Sequence, residues 1–317
     1  MRIDVHAHYF PGPYLDLIDA LSHGEVETSM GRRGAHATHA GDATVRIEAM
    51  DKAGVGMQIL SIATGGPYIS NEIGAIIGAR AANDAYAEMV RLYPQRFKAF
   101  ATLPLPHVKA ALAEMERAFD QLGMVGIGVA TKMGGKSLAD PSFDPVYEEL
   151  NRRGGVLFVH PIGHSCDSTL LESTGLTWPL GAPFEDTAAA LQLLQTGFVQ
   201  KFPKIRAIMP HLGGTLPFLV HRLDHQQDRF MHGHGKPSEL AKKFWYDSVN
   251  GNVAALRCSC DTFGIDKIVF GTDYPFWNGP AHQHASEYID RAGLSAADVQ
   301  AISEGNARAL FGDALLP

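Results

Sequence analysis

Ile3-Asp4-Val5-His6-Ala7-His8 is the stretch on which the reading of this chain turns. Its branched apolar residues point to a buried strand. Residues two apart in a strand face the same side, about 6.6 Å apart at a rise of ~3.3 Å per residue. His6 and His8 can therefore reach one ion together, and imidazole suits Zn²⁺ and its neighbours. A catalytic metal site usually needs three protein ligands and an open position, so the remaining donors must come from elsewhere in the chain. A further His-x-His pair, His232 and His234, sits in a Gly-rich polar loop and reads as a bystander.

The rest of the sequence supplies a regular rhythm. Apolar strands are expected over residues 2–8, 55–63, 97–103, 124–130, 155–160, 205–211, 244–249 and 267–273. Helical segments separate them, over 44–53, 71–93, 107–122, 145–153, 187–201, 216–231 and 253–263, and two more, 282–291 and 296–311, finish the chain. Residues 10–43 read as a long loop with a short helix near 14–21, and a long connection in a compact domain is usually functional or disordered. Eight strands alternating with helices predict a parallel sheet closed as a (β/α)₈ TIM barrel, with a loop insertion after strand one and C-terminal helices. No linker divides the chain, so residues 1–317 are expected to form one domain. A doubly wound open sheet is the alternative architecture.

Composition narrows the function. The chain has 317 residues, is 45% hydrophobic and 19% charged, and carries a formal net charge of −7. Without a basic run, neither nucleic acid nor an anionic membrane is an expected partner. No apolar run reaches the ~18 residues of a spanning helix, and the N-terminus lacks a signal-peptide pattern. Three cysteines, Cys166, Cys258 and Cys260, are too few for a disulfide framework. These features lead to the expectation of a reduced, cytoplasmic protein.

Three more candidates stand at expected strand ends. His160 ends the fifth, His211 the sixth and Asp273 the eighth. In a barrel all carboxyl ends meet at the face where active sites are built. His6, His8, His160, His211 and Asp273 should then converge, which packing alone explains poorly. Trp178, Phe184, Phe276 and Trp277 flank the same ends and would suit a flat, conjugated acid.

These positions resemble the amidohydrolase superfamily. Finer features are similar to its aminocarboxymuconate-semialdehyde decarboxylase-like branch, amidohydrolase family 2. They include residues 46–55 (RIEAMDKAGV), 94–97 (PQRF), 185–187 (EDT), 202–204 (FPK), 211–214 (HLGG) and 271–276 (GTDYPF). The resemblance implies one divalent ion, usually zinc with manganese as the alternative, held by His6, His8, His160 and Asp273. It implies His211 as an acid/base off the metal, with Asp273 touching both metal and substrate. It also implies that Arg46 contacts substrate and that Arg222, eleven residues after His211, reaches a neighbouring subunit's site. Guanidinium forks bind carboxylates bidentately, which agrees with both assignments. Many similar decarboxylases of hydroxybenzoates carry Glu where His6 stands. Two-metal members often use a carboxylated lysine after strand four, but Lys132 reads as a loop residue, so one metal is expected.

The expected activity is non-oxidative decarboxylation of an unsaturated or aromatic carboxylic acid, a C–C lyase reaction without an organic cofactor. Trp178 and Phe276 are the expected aromatic contacts, and a homodimer or higher homo-oligomer is expected. Hydrolysis or hydration of a small carboxylate, lactone or amide in the same site is the alternative.

Overall fold

Eight parallel strands follow one another round a single sheet in chain order. They are β1 (Arg2–His8), β2 (Val55–Ser61), β3 (Phe97–Thr102), β4 (Gly126–Ala130), β5 (Val156–His160), β6 (Arg206–Met209), β7 (Trp245–Asp247) and β8 (Ile268–Val269). This computed structural model describes residues 1–34, 43–62, 64–163 and 168–316. Cys166 and the expected strand end at Ala63 lie outside the described residues. The strands are buried almost throughout because helices cover the sheet's outer face. β8 returns to β1 through backbone bonds beyond its short ladder: Val5 N to Phe270 O at 2.9 Å, Asp273 N to His6 O at 2.8 Å and His8 N to Tyr274 O at 2.6 Å. The result is a nearly closed (β/α)₈ barrel.

Two apolar layers hold it. Ile3, Val5, Met57, Ile59, Phe100, Phe158, Ile208 and Val269 fill the interior. Ala307, Leu310, Phe311 and Leu315 from the C-terminal helices join the same cluster. The second layer packs helices on strands. The helix Glu72–Leu92, capped by Asn71 accepting from Gly74 N, buries a stripe of small residues including Gly74, Ala75, Gly78, Ala79 and Ala82. Small side chains there let the helix approach β3 closely. Among the described residues no helix is long and apolar enough to cross a membrane.

Several boundaries differ from expectation. The connection after β1 holds two helices, Gly12–Ser22 and Ser29–Gly34. The expected helix over 187–201 begins earlier, at Ala182, and breaks into Ala182–Gln195 and Phe198–Lys201 around Gly197, whose φ is +71°. The one over 216–231 ends at Asp224. After β4 a hairpin pairs Lys132–Met133 with Lys136–Ser137. His211 and Asp273 lie beyond the last ladder residues of β6 and β8, in turns.

Candidate active site

The site begins with a fault in β1. Asp4 pairs with Gln58, yet Ala7 pairs with Leu60, so three steps on β1 oppose two on β2. This β-bulge re-aims the strand. Before it, Ile3 and Val5 face the barrel interior with Met57 and Ile59. After it, His6 and His8 take that face, and His8 meets Ser61 of β2. Asp4 is left on the opposite side, beside Gln58. Strict alternation would have put His6 and His8 on the same side as Asp4.

Each ring is held from behind. His6 Nδ1 meets Asp247 Oδ2 at 2.7 Å, and His8 Nδ1 meets Ser61 Oγ at 3.0 Å. The Ser61 hydroxyl itself donates to Ala7 O at 3.3 Å, so it accepts from His8. His160 Nδ1 donates to Pro161 O at 2.7 Å, and its Nε2 is buried with no hydrogen-bond partner. Such contacts fix the tautomer that leaves Nε2 as a lone pair facing the centre.

The front of the centre is close-packed. His6 Nε2 lies 3.0 Å from His8 Nε2, His8 Nε2 3.1 Å from Asp273 Oδ1, and His6 Nε2 3.4 Å from Asp273 Oδ1. Ligand atoms around a tetrahedral Zn²⁺ with Zn–N near 2.0–2.1 Å stand roughly 3.3 Å apart. Facing lone pairs at these separations repel unless a proton or cation lies between them. Donor atoms of His6, His160, His211 and Asp273 also lie within 4.8 Å of one another. The residues therefore fit a divalent cation, on the strength of the orphaned His160 nitrogen and the donor spacing.

His211 has a different setting. Its Nδ1 meets Asp186 Oδ2 at 2.8 Å, while Nε2 stays 3.9 Å from Asp273 Oδ2. Its backbone N donates to Asp247 Oδ1 at 2.9 Å. One buried carboxylate, Asp247, thus bonds both the His6 ring and the His211 backbone. His211, Leu212 and Asp273 have φ of 52°, 58° and 59°, a region non-glycine residues seldom occupy. Such strain concentrates at functional sites, where the surrounding contacts sustain it.

The electrostatics follow the contacts. Burial disfavours a charged His6, but Asp247 and then Asp273 outweigh it and raise its pKa to about 9. Burial brings His8 down to about 4 and holds His160 well below the usual histidine range. Burial also opposes charge on His211, yet Asp186 and then Asp273 hold its pKa well above the ordinary value. Burial would raise the Asp273 carboxyl, but the neighbouring His211, His6 and His8 rings outweigh it and hold it well below the usual carboxylate range. Burial lifts Asp186 to about 6. A cation at the centre adds its own charge and favours the unprotonated form of each ring that coordinates it.

A cavity of about 380 Å³ opens onto this centre. His160, His211 and Asp273 form its floor, and Trp178, Phe276 and Trp277 its aromatic walls. Trp178 and Phe276 are thus where the sequence places them. Phe184 lies off this lining, 37% exposed. Arg46 is not on the lining either: it is buried, and its guanidinium is bonded to Gln58 and to the His8 carbonyl. Arg222 is exposed on the helix Leu216–Asp224 and does not line its own chain's cavity. Lys132 lines a neighbouring cavity of about 590 Å³ instead of the metal centre. Asp186 and Asp247 were not singled out as site residues in the sequence. Asp186 falls in the 185–187 motif just ahead of the expected helix, and Asp247 inside the expected strand over 244–249; neither position by itself marks an acid that orients a histidine.

Fold and centre define a class, a barrel with a His/Asp cation site at the carboxyl ends of its strands. The family model described as Amidohydrolase matches residues 3–312, and the chain belongs to that family. It is 28% identical over 295 residues to 2-amino-3-carboxymuconate-6-semialdehyde decarboxylase of Dictyostelium discoideum, covering 87% of this chain and 82% of that one. It is 32% identical over 292 residues to gamma-resorcylate decarboxylase of Rhodococcus jostii, covering 84% and 86%. A dihydroxybenzoic acid decarboxylase from Polaromonas sp. JS666, solved with manganese and the inhibitor 2-nitroresorcinol, superposes with a TM-score of 0.82 at 26% identity over 98% and 97% of the chains.

Proposed function

We propose that this chain is a metal-dependent, non-oxidative decarboxylase of a small conjugated or aromatic carboxylic acid. The observation that carries the reading is the cavity itself, in which the His–Asp centre, a histidine held by a buried carboxylate and three aromatic side chains share one space. The relatives named above are decarboxylases, which supports the same reaction. His6, His8, His160 and Asp273 would hold one divalent ion. Three imidazoles and a carboxylate suit zinc, and the manganese in the Polaromonas enzyme makes that ion the alternative. When bound, the ion supplies positive charge that draws electron density from substrate oxygens.

The chain's own residues do the rest. Trp178, Phe276 and Trp277 grip a flat substrate by its faces and exclude water. Asp186 accepts from His211 Nδ1 and favours the doubly protonated ring, so Nε2 faces the cavity with a proton to give. That proton passes to the substrate carbon bearing the carboxylate. A C–H bond forms, the C–C bond breaks and CO₂ departs, with the electron pair held in the substrate's conjugated system. Arg222, exposed on its helix, would serve the site of a second subunit. The test measures CO₂ release by metal-loaded protein across a panel of conjugated and aromatic acids. We expect release from at least one acid, slowed at least about a hundredfold by His211→Ala. Addition of water to such acids without CO₂ release would overturn the reading.

A further inference from the structure

Arg46 sits in the helix Thr44–Lys52, outside the barrel wall, and is 5% exposed. Its Nη1 donates to Gln58 Oε1 at 2.9 Å, and its Nη2 donates to the backbone carbonyl of His8. The guanidinium lies 4.7 Å from the Tyr274 ring centroid and 5.7 Å from that of Tyr9. Gln58 passes the connection on: its Nε2 donates to Asp4 Oδ2 at 3.0 Å. Asp4 is completely buried and accepts three more bonds. His6 N at 3.1 Å and Thr272 N at 3.0 Å reach Oδ1, and Thr272 Oγ1 reaches Oδ2 at 2.6 Å.

This line of bonds crosses two irregular places in the wall. One is the β1 bulge, which withdraws a backbone amide from the ladder. An amide left buried without a partner is costly, and the Asp4 carboxylate accepts from His6 N. The other is the β1–β8 seam, where the ladder is incomplete. Asp4 spans it to Thr272, the residue before Asp273. The bulge is what turns both His6 and His8 inward, and the Thr272 turn is what presents Asp273 to them.

We propose that Arg46 is a positioning residue that acts through Gln58 and Asp4 to hold the β1 bulge and the Thr272–Asp273 turn, and that it does not receive the substrate's carboxylate. Two of its guanidinium nitrogens are committed to protein oxygens, and it is absent from the cavity wall. The carboxylate's cationic partner then comes from elsewhere. The proposal rests on the metal centre described above, but not on the reaction assigned to it.

The test uses the full chain loaded with Co²⁺, whose visible absorption reports ligand geometry. Arg46→Met removes the fork and keeps an unbranched apolar stem, and Gln58→Leu breaks the same line without touching Arg46. Both should weaken Co²⁺ binding about tenfold or more, the scale typical of groups that orient metal ligands. Both should also shift the cobalt band and lower kcat more than they raise KM. Arg46→Lys, which keeps the charge and one donor, should recover part of each loss. If Arg46→Met does not fold, Gln58→Leu carries the decision. Unchanged Co²⁺ affinity and spectrum, with KM raised tenfold in Arg46→Met alone, would make Arg46 a substrate contact and overturn the proposal. A lowered melting temperature with an intact cobalt spectrum in both variants would overturn it as well. Wild-type protein that takes up no Co²⁺ would instead sink the metal centre, a separately visible failure.

Discussion

His160 Nε2 is buried with nothing to bond, whereas most such atoms in folded proteins have a partner. A coordinated cation removes the anomaly, so His160→Ala should abolish tight binding of one divalent ion and activity together. Full occupancy by elemental analysis in that variant would exclude His160 from the shell. His211 needs a different experiment, because one of its ring nitrogens falls within the same 4.8 Å cluster as donor atoms of His6, His160 and Asp273. Its Nε2 stands 3.9 Å from Asp273, farther than His6 at 3.4 Å or His8 at 3.1 Å, and it lines the cavity, which argues that its task is proton transfer. His211→Ala should keep the metal and lose ~10²–10⁴-fold in rate, the usual worth of a general acid or base. Asp186→Asn should act in the same direction with less effect, since the amide still bonds Nδ1 but no longer favours the charged ring. Loss of metal from His211→Ala would move the residue into the first coordination sphere and undo this division of roles.

At the level of elements, the β6 turn and the helix Ala182–Gln195 are fitted to each other through Gly214. This residue has φ 64° and ψ −119°, which side-chain-bearing residues avoid. A Cβ there would stand 2.0 Å from Pro183 O and 2.7 Å from Thr187 Oγ1. Pro183 and Thr187 belong to the helix that carries Asp186. Gly214→Ala should therefore push that helix off His211, lowering kcat as well as costing at least the ~1–3 kcal/mol of backbone strain. Gly123→Ala is the control, with φ +67° and no atom within 4 Å of the added methyl. Equal melting temperatures and kcat in the two variants would refute the coupling. The strands themselves were legible in the sequence because burial on both faces leaves continuous apolar runs, as in Val156–His160. His6, His8, His160, His211 and Asp273 were legible because they punctuate those runs. The bulge was not, since two-for-one pairing depends on the register of β2 and leaves no mark in β1 alone. Nor were the positive-φ turns at His211 and Asp273, which carry no glycine at those positions. The burial of Arg46 escaped for the same kind of reason: its partners Gln58 and His8 belong to other elements.

At the scale of the whole molecule the remaining question is what neutralises a substrate carboxylate, since no arginine or lysine lines the cavity among the described residues. Arg222 projects from the helix Leu216–Asp224, and one turn earlier Phe218 is 83% exposed. A large apolar side chain left in water beside a cation suits a surface that a second copy covers. In a two-fold dimer each subunit would give and receive the same arginine. Hydrogen bonds to charged groups are worth about 1.5–3 kcal/mol, so Arg222→Ala should cost roughly 10- to 150-fold in kcat/KM with metal content unchanged. Arg222→Ala and His211→Ala, each impaired alone, make the sharper test when mixed. A mixed dimer contains one site with its own His211 and the partner's intact arginine. Activity should return to about a quarter of wild type, because half the dimers are mixed and each has one working site. If subunit exchange is verified with tagged chains and no activity returns, the shared site does not exist. A monomer in solution with full activity would exclude it equally.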